Sequence, residues 1–343
     1  MNITVAVDVM GGDFGPCITI PASIACLKKN PQLRISFVGD VDQINAQLNQ
    51  HAYKDVSSRI LFATPLEVPS HRANESGSPD YSSDSILQGI ELLCESQADA
   101  FVSAGDTATL LTSSTFKLKR IPGVLRPAIC SAVPSEQGLS LLLDVGANLE
   151  CSAGNLHQFA IMGNVLAQSI FNTRSPRVAL LNVGVEETKG TQKTKNAAEL
   201  LERDSQLNYI GYIEGLNLFS GQADVVVCDG LTGNIALKAG EGAALLVTHT
   251  ISKSVAMSKF KQLAAAFTAS VFKDLTNKLN PQNFNGAVLL GVQGVVIKSH
   301  GHADMVGFKH AIERAMYAVE ADLIGSIARH FSLASELTTH NNE

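Results

Sequence analysis

The chain has 343 residues, 45% of them apolar and 17% charged, with 6 Cys, no Trp and a formal net charge of −6. At roughly 100–200 residues per domain, that length holds one large or two ordinary domains with a sizeable core, and disorder is excluded as a description of the whole. The charged share falls below the roughly 25% of an average soluble protein, and the acidic balance offers no global attraction to nucleic acid, which is excluded as a main partner.

The chain opens MNITVAVDVMGGD, with no basic segment ahead of an apolar one, which reads as the mature start of a cytoplasmic protein. β-rich runs then recur, each stopped by Gly, Asp or Asn: ITVAVD (3–8), LRISFVGD (33–40), ADAFVSAGD (98–106), LSLLLDVGAN (139–148), RVALLNVG (177–184), ADVVVCDG (223–230) and GAVLLGVQGVVIKSHG (286–301). Near-continuous Val, Ile, Leu and Ala, instead of strict alternation, is the pattern of strands covered on both faces. Apolar positions at three- and four-residue spacing predict helices over Tyr81–Gln97, Asn155–Phe171, Lys193–Arg203, Asn234–His249 and Met305–Phe331. Strand, polar loop and helix alternate from end to end. The expected fold class is therefore α/β, a three-layer α/β/α arrangement with a mostly parallel or mixed sheet.

No short-period repeat and no Pro- or Ser-rich linker divides the chain, so residues 1–343 read as a single integrated α/β domain of two intertwined subdomains. The ESGSPDYSSDS stretch (75–85) reads as a surface loop. A helical excursion covers about 249–279. There Lys253, Lys259, Lys261, Lys273 and Lys278 face a single acid, Asp274, and Phe260, Leu263, Phe267, Val271, Leu275 and Leu279 share one side. The charge-free run from Phe284 to Ile297 is interrupted by three glycines and falls short of the roughly 20 residues a membrane-spanning helix needs. Cys17, Cys26, Cys94, Cys130, Cys151 and Cys228 have no metal or CxxC spacing and read as buried free thiols.

In parallel α/β sheets, ligands bind beyond the carboxyl ends of the strands, where loops meet helix N-termini. Small polar motifs stand at such places six times, at 8–13, 103–107, 144–148, 182–184, 229–234 and 298–301. One such loop is ordinary chain-turning. Six converging on one edge predict a crevice for an oxyanion or phosphate. No P-loop, no dinucleotide-binding glycine pattern at a helix start, no serine-hydrolase elbow and no zinc-type His pair occurs, which takes most of the support from ATP and NAD and leaves little for a serine hydrolase or a zinc enzyme. Cys228 is a weak candidate for an acyl-enzyme nucleophile, because it lies inside an apolar run with no sequence-linked His.

The blocks DVMGGDFGP (8–16), VSAGDT (102–107), RPAI (126–129), DVGAN (144–148), QFAIMG (158–163), ALLNVGVEETKG (179–190), LNYIGY (207–212), VCDGLTGNIALK (227–238), LNPQNFNGA (279–287) and VIKSHGHAD (296–304) resemble the acyl-carrier-protein:phosphate acyltransferases of bacterial phospholipid synthesis. They run in the family's order from residue 8 to about 310. The resemblance implies the isocitrate/isopropylmalate dehydrogenase-like α/β/α fold without the dehydrogenases' cofactor, a fold that phosphotransacetylase also uses. It also implies the reaction of an acyl-carrier-protein thioester with orthophosphate to give acyl phosphate and free carrier. The chain departs from the family where an amide is usual and Asp106 stands, a like-charge penalty beside an anion unless the carboxyl is protonated or turned away. The 75–84 stretch has lost basic residues and gained acids, and Val185 stands where a third acid is usual.

A thioester carries its own leaving group, so the protein's tasks are to orient phosphate and balance its charge. The matched VEETKG and KSHG blocks mark Lys189, Lys298 and His300 as the cations for phosphate, with His302 chemically eligible beside His300 and Lys189 open to reading as a solvated loop residue. Backbone amides of Gly11, Gly12 and Gly146 and the side-chain amides of Asn148 and Asn234 are candidate donors to phosphate or the developing oxyanion. Ser103 joins the phosphate-binding set. Asp8, Asp144 and Asp229 stand at strand ends, where they either fix loop backbones or touch substrate.

The partners implied are acyl-carrier protein, orthophosphate, a second copy in a homodimer and a downstream glycerol-3-phosphate acyltransferase, with neither cofactor nor metal. Two other readings stand beside this one: a phosphotransacetylase-like acyl-coenzyme A:phosphate acyltransferase, and a weakened family member that binds acyl chains or partner proteins. The basic amphipathic excursion predicts association with a membrane surface at the inner face, with carrier protein or with the dimer mate.

Overall fold

The computed structural model describes residues 2–63, 81–256 and 278–340. In chain order its elements are β1 (Ile3–Asp8), α1 (Pro16–Lys29), β2 (Leu33–Val38), α2 (Val41–Leu48), β3 (Ile60–Phe62), α3 (Tyr81–Cys94), β4 (Ala100–Ser103), α4 (Thr107–Lys117), β5 (Ala128–Ser135), β6 (Gly138–Leu143), α5 (Ala153–Phe171), β7 (Arg177–Asn182), α6 (Gln192–Arg203), β8 (Asn208–Glu214), β9 (Val225–Val227), α7 (Gly230–Ala256), β10 (Ala287–Leu290), β11 (Val295–Lys298), α8 (Met305–Glu320) and α9 (Leu323–His340). Helix starts follow side-chain chemistry. Asp40, Asp106, Thr191 and Asp304 accept first-turn amides of α2, α4, α6 and α8, and Ser152 forms a reciprocal capping box with Asn155.

The strands form one sheet in the order β3-β2-β1-β4-β11-β10-β5-β6-β9-β7-β8. Along β1, Val5 and Val7 pack into one core cluster with α1, α5 and α8, while Ala6 packs into a second with α3 and α4. Both faces are covered, which is the three-layer α/β/α arrangement and the reason the strands read as unbroken apolar runs. No helix among the described residues is long and apolar enough to cross a membrane.

The sheet is mixed in a way that matters for the site. β10 runs antiparallel to β11 and to β5, and β5 runs antiparallel to β6. The β3-β2-β1-β4-β11 block and the β6-β9-β7-β8 block therefore point in opposite directions, and their loops do not converge on one edge as expected. The offset between the blocks compensates. Leu143 pairs with Cys130, Cys130 with Val288 and Val288 with Ile297, so β6 ends level with the penultimate residue of β11. The loop after β6 consequently turns beside β5, near the middle of the sheet.

Other expectations change in detail. The 286–301 run is two antiparallel strands turned through Gly291, whose φ is 91°. The helix expected over Met305–Phe331 breaks at Asp322, which takes a left-handed φ of 47°. Tyr81–Ser85, shared between the 75–85 loop and the helix expected from Tyr81, belongs to the helix, α3, which starts at Tyr81 as expected and ends at Cys94. Cys17 and Cys94 are exposed, the other four thiols buried. The start of the 249–279 excursion continues α7 to Ala256, and its apolar side from Phe260 to Leu275 lies outside the described residues.

Candidate active site

A crevice of about 630 Å³ lies between α7 and the sheet face formed by Ile129, Ser131, Ala287 and Lys298. Its inner end is built on one row of the sheet. Val7 pairs with Val102, and Ser103 with Lys298, so Asp8, Ser103 and Lys298 stand side by side on the α3 and α4 face. Asp8 is fully buried. It accepts from Ser103 Oγ at 2.6 Å, Ser85 Oγ at 2.7 Å and the amides of Gly11 at 3.0 Å and Met10 at 3.1 Å. Burial pushes its carboxyl above the ordinary range, and these hydrogen bonds hold the rise back.

Gly12 takes a φ of 82°, and a side chain there would meet Ala104 Cβ at 2.9 Å and the Gly301 carbonyl at 3.0 Å. The amide of Asp13 donates to that same carbonyl at 2.9 Å, which locks the loop after β1 onto the loop after β11. Lys298 Nζ reaches the Ala104 carbonyl at 3.3 Å and also the Ser299 carbonyl. Burial lowers its pKa to about 8, against the opposing pull of Asp106 and Asp8. The result is a half-buried ammonium at the crevice floor whose nearest hydrogen-bond partners are neutral carbonyls.

Asp144 repeats the Asp8 arrangement in the other block. It accepts from the amides of Ile129, Gly146, Ala147 and Asn148 and from the Asn148 side chain. Burial raises its pKa too. Asn148 gives its second side-chain hydrogen to the Pro127 carbonyl at 2.7 Å. The amides of Gly11 and Gly146 and the Asn148 side chain, expected to meet an anion, are thus turned inward onto buried carboxylates. They shape the loops.

Helix α7 starts against this loop. The Gly230 amide donates to the Asn148 carbonyl at 2.7 Å, and a side chain at 230 would meet that oxygen at 2.6 Å. The glycines of the DGLTGN motif therefore bring α7 down onto the Asp144–Asn148 turn. That approach aims Asn234, Lys238 and Glu241 into the crevice. Asn234 is exposed there, and its side-chain amide has no hydrogen-bond partner among the described residues.

His300 enters from the opposite wall. Its Nε2 lies 3.0 Å from Glu241 Oε1 and its Nδ1 3.4 Å from Lys238 Nζ, while Glu241 Oε2 is 2.8 Å from Lys238 Nζ. Burial works against the Glu241 charge, but His300 and Lys238 outweigh it and hold the carboxyl below its ordinary value. His302 instead pairs with Asp13 at the surface, 90% exposed. Lys238 and Glu241 were not singled out from the sequence, although their i,i+3 spacing beside the DGLTGN block was the available signal.

A second cleft of about 470 Å³ lies on the other side of the α7 start, lined by Asn182, Gly190, Lys193 and Asp229, and meets the crevice at Leu231. Asp229 accepts from Lys193 at 2.6 Å and from the amide and hydroxyl of Thr232 at 2.9 and 2.7 Å. Burial opposes its charge, and these partners overcome it to hold the carboxyl low. Lys189 is exposed on the loop after β7, beside Gly190 at the rim of this cleft and away from Lys298 and His300. Cys228 is buried, its thiol 3.6 Å from the Asp144 carbonyl, and burial raises its pKa well above the ordinary value. Such a thiol is inert as a nucleophile.

Asp106 differs from the expectation of repulsion in the crevice. Its carboxylate caps α4, accepting from the Thr109 amide at 2.7 Å and hydroxyl at 2.9 Å. These bonds, above all the amide's, hold its pKa below the ordinary value, with Lys298 adding to the effect.

A family model described as "Fatty acid synthesis protein" matches residues 3–325. Relatives named phosphate acyltransferase include that of Legionella pneumophila (strain Paris), 42% identical over 328 residues with 94% of each chain covered. That of Photobacterium profundum is 44% identical over 333 residues, again with 94% of each chain covered. That of Pseudomonas syringae pv. syringae is 45% identical over 315 residues, covering 91% of this chain and 92% of the relative. Among solved structures, a phosphotransacetylase from Streptococcus pyogenes superposes with a TM-score of 0.61 at 18% identity, covering 93% of this chain and 94% of that one. A 4-hydroxythreonine-4-phosphate dehydrogenase from Klebsiella pneumoniae gives 0.51 at 13% identity, with 93% and 98% covered. These two likenesses concern the fold alone.

Proposed function

Because the chain belongs to the phosphate acyltransferase family of fatty acid synthesis proteins, we propose that it transfers a fatty acyl group from acyl-carrier protein to orthophosphate, releasing acyl phosphate and the carrier's free thiol. The observation that carries this reading is Lys298, a half-buried ammonium lowered to about 8 by burial at the floor of a crevice that also holds Lys238 and His300. A dianion placed there supplies the charge the lysine lacks. In this desolvated setting each ion contact is worth more than in water.

The leaving thiolate comes from a group of pKa near 8.5, so its expulsion needs little acid help. The residues' work is placement. Lys298 and Lys238 hold phosphate oxygens, and the unpartnered amide of Asn234 faces the oxyanion that develops on the thioester carbonyl. Leu149, Leu231, Leu237 and Leu245 give the crevice an apolar wall for the acyl chain. The second cleft takes the carrier's pantetheine arm, with Lys189 at its rim towards the acidic carrier. The Asp8 and Asp144 loops act beneath these groups as fixed supports, as do Ser103 and Asp229.

Two wider proposals follow the same reading. Ile235 and Leu246, three turns apart on α7 and 60% and 68% exposed, leave an apolar stripe that supports a homodimer. The sequence of the 249–279 excursion supports a weak peripheral contact with the inner membrane face, where a glycerol-3-phosphate acyltransferase would consume the product. The deciding experiment is thiol release from acyl-carrier protein with and without phosphate, with acyl-coenzyme A as the comparison. Release that ignores phosphate, or a higher kcat/KM with coenzyme A, overturns the proposal.

A further inference from the structure

The hydrogen-bonding capacities around His300 fix its tautomer. A carboxylate can only accept, so the ring nitrogen 3.0 Å from Glu241, Nε2, carries the hydrogen. A lysine ammonium can only donate, so Nδ1, 3.4 Å from Lys238 Nζ, presents its lone pair. In this tautomer the imidazole is oriented from behind by a carboxylate, with its basic nitrogen turned towards the crevice cations. His302 has no such arrangement, being paired with Asp13 at the surface.

Resting on the acyl-transfer reading above, the geometry points to a Glu241–His300 dyad that activates the phosphate nucleophile, with His300 as the general base and Glu241 as its positioning residue. Entering phosphate takes the Lys238 ammonium and brings one P–OH to Nδ1 in its place. As that oxygen attacks the thioester carbonyl carbon, the P–O–C bond forms and the proton passes to His300 Nδ1. The C–S bond then breaks, and the departing thiolate takes the proton from the imidazolium. Hydrogen phosphate dianion and thioester thus become acyl phosphate dianion and thiol, with charge and protons balanced and His300 returned to its starting tautomer. Glu241 stabilises the transient imidazolium through Nε2 without itself being protonated, because His300 and Lys238 hold its carboxyl in the charged form.

Among the described residues, the charged and titratable groups that line the crevice with His300 are Glu241 and Lys238 from α7, Lys298 from β11 and His302, which pairs with Asp13; Asp106, at the start of α4, acts on Lys298. The faces supplied by Pro281 and Phe284 carry no charge. Of these groups, Glu241 is the one in ion-pair contact with the ring.

The test measures kcat and the KM for phosphate from about pH 6 to pH 9, for wild type, Glu241→Gln and His300→Gln, on whichever thioester the wild type turns over. Glu241→Gln is expected to lower kcat about 100-fold with the KM for phosphate within about threefold. The acid limb of its kcat/KM should move to lower pH, since the amide no longer favours the imidazolium. His300→Gln should lose that limb altogether. A Glu241→Gln enzyme with an unmoved limb, or with its loss confined to KM, overturns the dyad, as does a His300→Gln enzyme that keeps the limb, whether or not the Glu241 variant folds. A wild type inert towards both thioesters overturns the acyl-transfer reading itself and the dyad with it.

Discussion

Gly233 lies directly on the carbonyl oxygen of Asp144, so closely that a β-carbon there would overlap it and also meet Cys228 Sγ at 2.8 Å. Helix α7 owes its position to this contact, and α7 supplies Asn234, Lys238 and Glu241. Gly233→Ala must lift the helix start or distort the Asp144 turn, at a cost of about 1–3 kcal/mol. Urea denaturation should show that loss, and phosphate-dependent thiol release should fall about tenfold or more because the crevice wall moves. Wild-type stability in this variant would mean that α7 is not seated as described.

Asp106→Asn should leave stability within about 0.5 kcal/mol, because Asn and Asp cap helices about equally well, whereas Asp106→Ala should cost about 1 kcal/mol. Since the folded pKa of Asp106 lies below its unfolded value, its contribution is present above the unfolded pKa and is lost as pH falls through the folded one. Removing the charge near Lys298 should lower the KM for phosphate about twofold at neutral pH. A raised KM would give Asp106 a role other than capping.

The strand-end motifs were legible because buried parallel strands must be apolar throughout and must stop at residues that turn. The Asp8 and Asp144 loops were found this way, yet the inward aim of their amides was not, since spacing does not say which side of a loop an N–H faces. The α1 segment PCITIPASIACLKK is rich in β-branched residues and carries Pro21 inside the helix. Local propensity speaks against helix there, and packing against α8, α2 and β2 decides the matter. Strand direction was the deepest omission. The reversal depends on the Gly291 turn between β10 and β11, which looks like an interruption within one apolar run. Lys238 and Glu241 went unnoticed because a helix pattern shows which face is apolar, and the crevice lies along the polar side.

Lys189→Ala should leave the fold intact, since the side chain is exposed and forms no ion pair among the described residues. If its rim position serves the carrier's arm, kcat/KM with acyl-carrier protein should fall about tenfold or more, through the carrier's KM. The loss should shrink as salt screens the contact. Wild-type kcat/KM at low salt would return Lys189 to the solvated-loop reading.

Lys298 gives two pH trends of opposite sense. Its folded pKa of about 8 lies below the ordinary lysine value, so the folded state gives up the proton first as pH rises. The destabilisation from burying the charge is therefore present below about 8 and is relieved as pH climbs towards the unfolded value. Phosphate, by contrast, needs the ammonium, so its KM should climb as pH passes about 8 while this residue's effect on stability improves. Lys298→Met keeps the apolar stem and removes the charge. It should fold with unchanged or higher stability, raise the KM for phosphate about tenfold or more, and abolish the climb in KM above neutrality. Parallel measurement of KM and thermal unfolding across that range separates the cases: a variant that keeps the wild-type KM profile would remove Lys298 from the phosphate site.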